Sequence, residues 1–158
     1  RILVEKAAKS IGIDWGPIGG DLILTKEGLK IIEISPRLHG PNGTLWLFPL
    51  IGIEPLLFLA QIVCNESPQR DILELKSGKF SLCKVFTGKP GIVKKIEIPK
   101  HKHIVGSNIY FKMNQNYNLE SPYTGLATVF LQTNSLDEIK NTLKEIEKEI
   151  KIEIEDVT

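Results

Sequence analysis

The sequence is short of cysteine, of long apolar runs and of any surplus of charge, and each shortage removes a class of protein. Two cysteines, Cys64 and Cys83, cannot build a disulfide scaffold and have no metal-ligand spacing. The richest apolar stretch, Leu45 to Val63, is broken by Pro49, Gly52, Glu54 and Pro55. No run therefore reaches the roughly 18 residues that a membrane helix needs. Lys and Arg number 20 against 19 Asp and Glu, a net charge of +1. That balance gives no electrostatic reason to expect a nucleic acid or an anionic membrane as partner. No basic segment followed by an apolar one opens the chain, so no secretory signal is visible, and a reducing, cytoplasmic setting is the expectation. Neither an internal repeat nor a low-complexity tract is present.

What is there has the composition of a globular chain, 42% hydrophobic and 25% charged, which excludes disorder. Its 158 residues suffice for one ordinary domain or two small ones. The first residues, Arg1-Ile2-Leu3, read as if entered part-way along a helix, so a piece of a longer protein is expected.

Ile2 to Ile11 is rich in helix formers, with Leu3, Ala7 and Ser10 at helical spacing and Gly12 as a stop. After a glycine-rich connector, Gly16 to Gly20, two β-type runs follow, Asp21 to Thr25 and Leu29 to Ser35. Lys26-Glu27-Gly28 between them is a hairpin signal. Arg37 to Thr44 reads as a loop, and a helix is expected from about Glu54 to Cys64 with Pro55 in its first turn. The polar, proline-broken Asn65 to Arg70 marks a boundary, giving a first domain over residues 1–72 and a second over 73–158.

The second half is β-rich, with strands expected at Phe80 to Thr87, Gly91 to Pro99, Ile104 to Met113 and Gly125 to Thr133. Ser135 and Glu138 form a capping box for a terminal helix whose Ile139, Leu143, Ile146 and Ile150 share one face. Lys151 to Glu155 alternates as a closing strand. The fold class is α+β.

The hairpin carries the chemistry. With a three-residue loop, Thr25 faces Leu29, Ile23 faces Ile31 and Asp21 faces Glu33, so two carboxylates sit side by side. Like charges directly opposite destabilise a strand pair, and a divalent cation is the natural offset. Mg²⁺ takes oxygen ligands, usually one or two carboxylates plus substrate phosphates. Ser35 shares the face of Glu33 and can add an oxygen, and Arg37 can hold a phosphate or carboxylate in a fork. The glycine-rich loop beyond would let backbone N–H groups approach an anion. The competing reading is two ordinary surface acids, because a one-residue change in loop length puts them on opposite faces.

Residues 12 to 37, Gly-Ile-Asp-Trp-Gly-Pro-Ile-Gly-Gly-Asp-Leu-Ile-Leu-Thr-Lys-Glu-Gly-Leu-Lys-Ile-Ile-Glu-Ile-Ser-Pro-Arg, resemble the C-terminal lobe of ATP-grasp ligases. In that family an acid on one strand is followed by a turn with Gly and a Glu-x-Asn-x-Arg strand ending beside a glycine loop. The resemblance implies an antiparallel sheet with helices, followed by a small β-rich subdomain with a terminal helix. It maps Asp21 and Glu33 to Mg²⁺ (or Mn²⁺) ligands and Arg37 to the arginine that meets the transferred phosphate. Ser35 stands where the third ligand is usually Asn, the clearest departure from the pattern.

The implied activity is ATP-dependent activation of a carboxylate as an acyl phosphate, which an amine then attacks. A carboxylase or carbamoyl-phosphate-type enzyme is the nearest rival. A non-catalytic module that pairs edge strands with a partner is the rival from another class. The resemblance further implies small-molecule carboxylate and amine substrates, no nucleic acid and no membrane. It implies an N-terminal lobe of the same polypeptide supplying the rest of the nucleotide cradle, and leaves a homodimer open. These residues alone are then expected to be inactive.

His39, Gly40, Asn42 and Thr44 are the candidate substrate loop, with His39 otherwise a plain loop histidine. Lys100-His101-Lys102-His103 reads as an exposed turn rather than an anion or metal patch. Trp15 and Trp46 are expected at the core's edge, and Cys64 and Cys83 as small buried hydrophobes.

Overall fold

The computed structural model describes residues 2–38, 40, 42–75, 77–118 and 125–157. The chain divides into two compact units, Arg1–Lys76 and Ser77–Thr158.

In the first unit, α1 (Ile2–Ser10) ends where Gly12 takes φ +77°, and Gly12 and Ile13 donate their N–H groups to the carbonyls of Lys9 and Ala8. These bonds satisfy the last free carbonyls of the helix. Its buried residue is Ala8, whereas Leu3 of the expected stripe is exposed. β1 (Gly19–Thr25) and β2 (Gly28–Ser35) form an antiparallel two-stranded sheet. Asn42–Leu47, expected partly as loop, is a π-helical turn that runs into the short α2 (Phe48–Leu50). α3 (Pro55–Val63) begins with Pro in the position where its missing N–H costs nothing. A 3₁₀ turn, Arg70–Leu73, lies against the start of α3, the Glu54 N–H donating to Ile72 O over 2.8 Å.

α3, Pro-Leu-Leu-Phe-Leu-Ala-Gln-Ile-Val, is apolar on every side and yet has no buried residue. Cys64, just past its end, is exposed, contrary to expectation. Trp15 is likewise 69% exposed rather than at the core's edge. No single helix among the described residues is long and apolar enough to cross a membrane. Asn42–Leu50 and Pro55–Val63 meet that test only as a pair, and they are bent by 110°.

The second unit holds β3 (Phe80–Phe86), β4 (Gly91–Glu97), β5 (Ile104–Ile109), β6 (Asn116–Tyr117), β7 (Ala127–Thr133), α4 (Leu136–Glu149) and β8 (Lys151–Glu155). Two antiparallel three-stranded sheets result, ordered β3-β7-β5 and β6-β4-β8. The short β6 had no signal of its own. β5 stops at Ile109, four residues before the expected Met113.

α4 is capped as its sequence dictates: the Glu138 N–H donates to Ser135 Oγ over 3.1 Å. The reciprocal acceptor, Glu138 Oε2, takes the N–H of Asn134 rather than that of Ser135. The α4 face packs Ile139 and Ile146 onto Phe86, Val129 and Leu131. A second cluster joins Val93, Tyr117 and Leu126, with Phe111 edge-on to Tyr117 at 5.1 Å.

Candidate functional site: opposed carboxylates on a hairpin

The hairpin is built in a different register from the one expected. Thr25 pairs with Gly28, Leu24 with Leu29, Ile23 with Lys30 and Leu22 with Ile31. The turn therefore closes over Lys26 and Glu27 alone, one residue tighter than the sequence suggested. Gly28 at φ +110° supplies the backbone twist, and Thr25 Oγ1 donates to Gly28 O and accepts the Glu27 N–H.

Left alone, that slip would separate the two acids. It is undone by a bulge between Asp21 and Leu22, opposite which Ile32 is the extra residue, and from there Asp21 pairs with Glu33, Gly20 with Ile34 and Gly19 with Ser35. Bulges re-aim side chains, and this one restores the opposition of two carboxylates that like-charge repulsion disfavours.

The groups around the pair follow from the strand. Ser35, two residues beyond Glu33 and so on the same face, donates its hydroxyl to Glu33 Oε1 over 2.8 Å. Arg37 Nη2 lies 4.0 Å from the same oxygen, and Nη1 donates to the Leu38 carbonyl over 3.2 Å. The Arg37 and Glu33 side chains are 60% and 59% exposed. An ion pair that open is worth at most about 1 kcal/mol, so little holds the Arg37 guanidinium in this position. Asp21 is exposed and its side chain has no hydrogen bond or ion pair among the described residues.

The donor set is oxygen throughout, the chemistry of a hard cation. Among the described residues no group of three or more His, Cys, Asp or Glu is placed to hold a metal. The two carboxylates that face each other match the one or two that proteins usually offer to Mg²⁺ on a phosphate substrate.

Of the candidate substrate loop, His39 lies outside the described residues. Gly40 O accepts the N–H groups of Gly43 and Thr44, at 3.0 and 3.1 Å. The glycine-rich loop was expected to offer backbone N–H groups to an anion, and these two are spent on the helical turn instead. Thr44 is buried, at 4% exposure, and Asn42 is half-buried.

Two features were missed. One is a cavity of about 590 Å³ in the first unit, lined by Trp15, Ile18, Leu38, Phe48, Phe58 and Leu59 among others. The largely apolar run of α3 was its signal in the sequence. The other is in the second unit, where His101 and His103 are not an exposed turn: their side chains are 19% and 16% exposed. His101 Nε2 meets Glu145 Oε2 at 3.2 Å and His103 Nε2 meets Glu138 Oε1 at 3.1 Å. His101 Nδ1 accepts the His103 N–H, so its proton is on Nε2. The capping glutamate of α4 was the partner in sequence that could have revealed this. Burial pushes the Cys83 thiol up from its ordinary pKa.

The chain is an α+β fold with two opposed carboxylates on its first hairpin. No protein-family model matches the chain, and no curated protein sequence matches it. Solved structures do. The chain is similar to phosphoribosylglycinamide synthetase from Anaerococcus prevotii, at 24% identity and a TM-score of 0.77, over 96% of this chain and 40% of that one. It is similar to L-amino acid ligase from Bacillus licheniformis, at 15% identity and a TM-score of 0.78, over 97% and 39%. The biotin carboxylase domain of Hydrogenobacter thermophilus 2-oxoglutarate carboxylase, solved as a dimer with MgADP and bicarbonate, matches at 15% identity and a TM-score of 0.66, over 97% and 35%. The chain thus spans 35–40% of the length of these three structures. Its fold is that of the C-terminal lobe of ATP-grasp ligases.

Proposed function

We propose that this chain is the metal- and phosphate-holding part of an ATP-dependent ligase that joins a carboxylate to an amine. The observation that carries the reading is the bulge in β1–β2, which keeps Asp21 opposite Glu33 against their mutual repulsion. In this reading Asp21 and Glu33 hold Mg²⁺, or Mn²⁺, on the phosphates of ATP, with Ser35 beside them. The cation would supply charge neutralisation across the phosphate oxygens.

Arg37 leaves its weak contact with Glu33 and takes up the charge that develops on the transferred phosphoryl group, the main task in such reactions. The γ-phosphoryl passes to the carboxylate and ADP departs. The amine nitrogen then attacks the acyl carbon, losing a proton as phosphate leaves. The segment around His39, Gly40 and Asn42 contacts the substrate, while buried Thr44 supports the turn from inside. The compartment in this reading is the cytoplasm.

The remaining part of the nucleotide site comes from a further lobe of the same polypeptide. Supporting this, the first unit exposes Ile2, Trp15, Leu24, Ile32 and Val63, and α3 is apolar all round without one buried residue. A helix of that composition is normally enclosed. The 158 residues alone are then inactive.

The test is the full-length polypeptide incubated with Mg-ATP, a pool of carboxylates and hydroxylamine, which traps an acyl phosphate as hydroxamate. Hydroxamate and ADP in equal amounts, both lost in Glu33→Gln, are expected. Release of AMP and pyrophosphate, or full turnover by Glu33→Gln, would overturn the reading.

A further inference from the structure

We infer that Ser35 is a positioning residue, which aims the Glu33 carboxylate at the cation instead of binding the cation itself. The inference rests on the reading of Asp21 and Glu33 as the metal-holding pair.

Three observations carry it. First, the Ser35 hydroxyl has one proton, and that proton is directed to Glu33 Oε1 over 2.8 Å, a charge-assisted bond. Second, both donors near Glu33 converge on that one oxygen, since Arg37 Nη2 also lies 4.0 Å from Oε1. Oε2 is left without a donor among the described residues, which frees it for a cation shared with Asp21 across the strand pair. Third, the serine oxygen stands a single bond from its Cβ and stays close to the sheet, whereas the Glu33 carboxylate extends beyond it. Opposite Ser35 in the register is Gly19, which has no side chain to compete for the hydroxyl.

Holding Glu33 matters because its side chain is 59% exposed and nothing packs it into one rotamer. A free glutamate would surrender its rotational freedom each time it bound the ion. The Ser35 bond sets that orientation beforehand, as partners of ligating carboxylates do in metal sites generally. A serine here therefore does a different job from a longer amide side chain, whose carbonyl oxygen could reach the ion.

The experiment measures Mn²⁺ binding to the full-length polypeptide in the presence of ADP, by electron paramagnetic resonance that also counts the water molecules on the ion. Ser35→Ala is expected to weaken Mn²⁺ binding about tenfold, as loss of a ligand-orienting bond does, with the water count unchanged. Ser35→Thr keeps the hydroxyl on a side chain that suits a strand and is expected to restore binding. One additional water on Mn²⁺ in Ser35→Ala would show that a direct ligand had been lost, and would overturn the inference. So would undiminished affinity in Ser35→Ala, or a Ser35→Thr variant as weak as the alanine. If the wild type binds no Mn²⁺, or Glu33→Gln binds it equally well, the metal reading itself falls and takes this inference with it.

Discussion

Replacing Asp21 by Asn should stabilise the protein when no divalent cation is present. Directly opposed residues in an antiparallel pair have Cβ atoms about 5 Å apart. Two unit negative charges at about that distance in water repel by about 0.8 kcal/mol. Arg37, 4.0 Å from Glu33, offsets part of this, leaving a net gain of about 0.5 kcal/mol for the variant. The Asp21 side chain has no hydrogen bond among the described residues to lose, so the substitution removes charge and little else.

For a unit of this size that gain corresponds to a rise in Tm of about 2–4 °C. Thermal melts of the full-length polypeptide in EDTA at low ionic strength, followed on the transition of this unit, would show it, and it should fade near 1 M salt, where the screening length falls to about 3 Å. Adding Mg²⁺ and ADP should reverse the order, because a ligand at about 100 times its Kd stabilises by about 2.7 kcal/mol and the Asp21→Asn variant cannot hold it. A variant that is neutral or less stable in EDTA would refute the argument that the two carboxylates oppose each other.

Other outcomes follow from the second unit and from the two thiols. Ile146→Ala, at a site 1% exposed between α4 and the β3-β7-β5 sheet, should cost about 2–5 kcal/mol in denaturant melts. A thiol reagent should modify exposed Cys64 first and half-buried Cys83 much later, since burial raises the Cys83 pKa and depletes its thiolate. The Lys95 ammonium, 3.0 Å from Glu97, and Lys151 beyond it hold the Glu97 carboxyl below the usual carboxylate range. Its stabilisation is therefore complete above the ordinary glutamate pKa and is lost as pH falls through the lowered one, so Glu97→Gln should flatten the acid side of the stability profile.

The elements legible in the sequence were those with a strong local signal. The capping box at Ser135 and the four-three-four spacing of its apolar residues located α4, and Pro55 located the start of α3. The hairpin was legible as a hairpin, but its register was not. Lys26-Glu27-Gly28 does not say whether Gly28 belongs to the loop or to the strand, and nothing in Leu22 or Ile32 announces a bulge. Two departures from the simple register cancelled, which is why the opposition of Asp21 and Glu33 could be read while the pairing of Ile23 could not.

Asn42–Leu47 was hidden because Gly40, Pro41 and Gly43 carry loop signals that outweigh the apolar residues after them. Trp15 and Cys64 were misplaced for a common reason. Apolar composition reports what a residue prefers to touch, and in the first unit the described residues do not supply enough neighbours to cover it. His101 and His103 looked like a solvated turn because their partners, Glu145 and Glu138, are far along the chain.

The most direct test of the central claim is an anomalous difference map from crystals of the full-length protein grown with Mn²⁺ and ADP. The account predicts a peak bridging Asp21 and Glu33, about 2 Å from a carboxylate oxygen of each, with nucleotide phosphate completing the shell. A nucleotide bound with its metal elsewhere, and the two carboxylates turned apart, would contradict it.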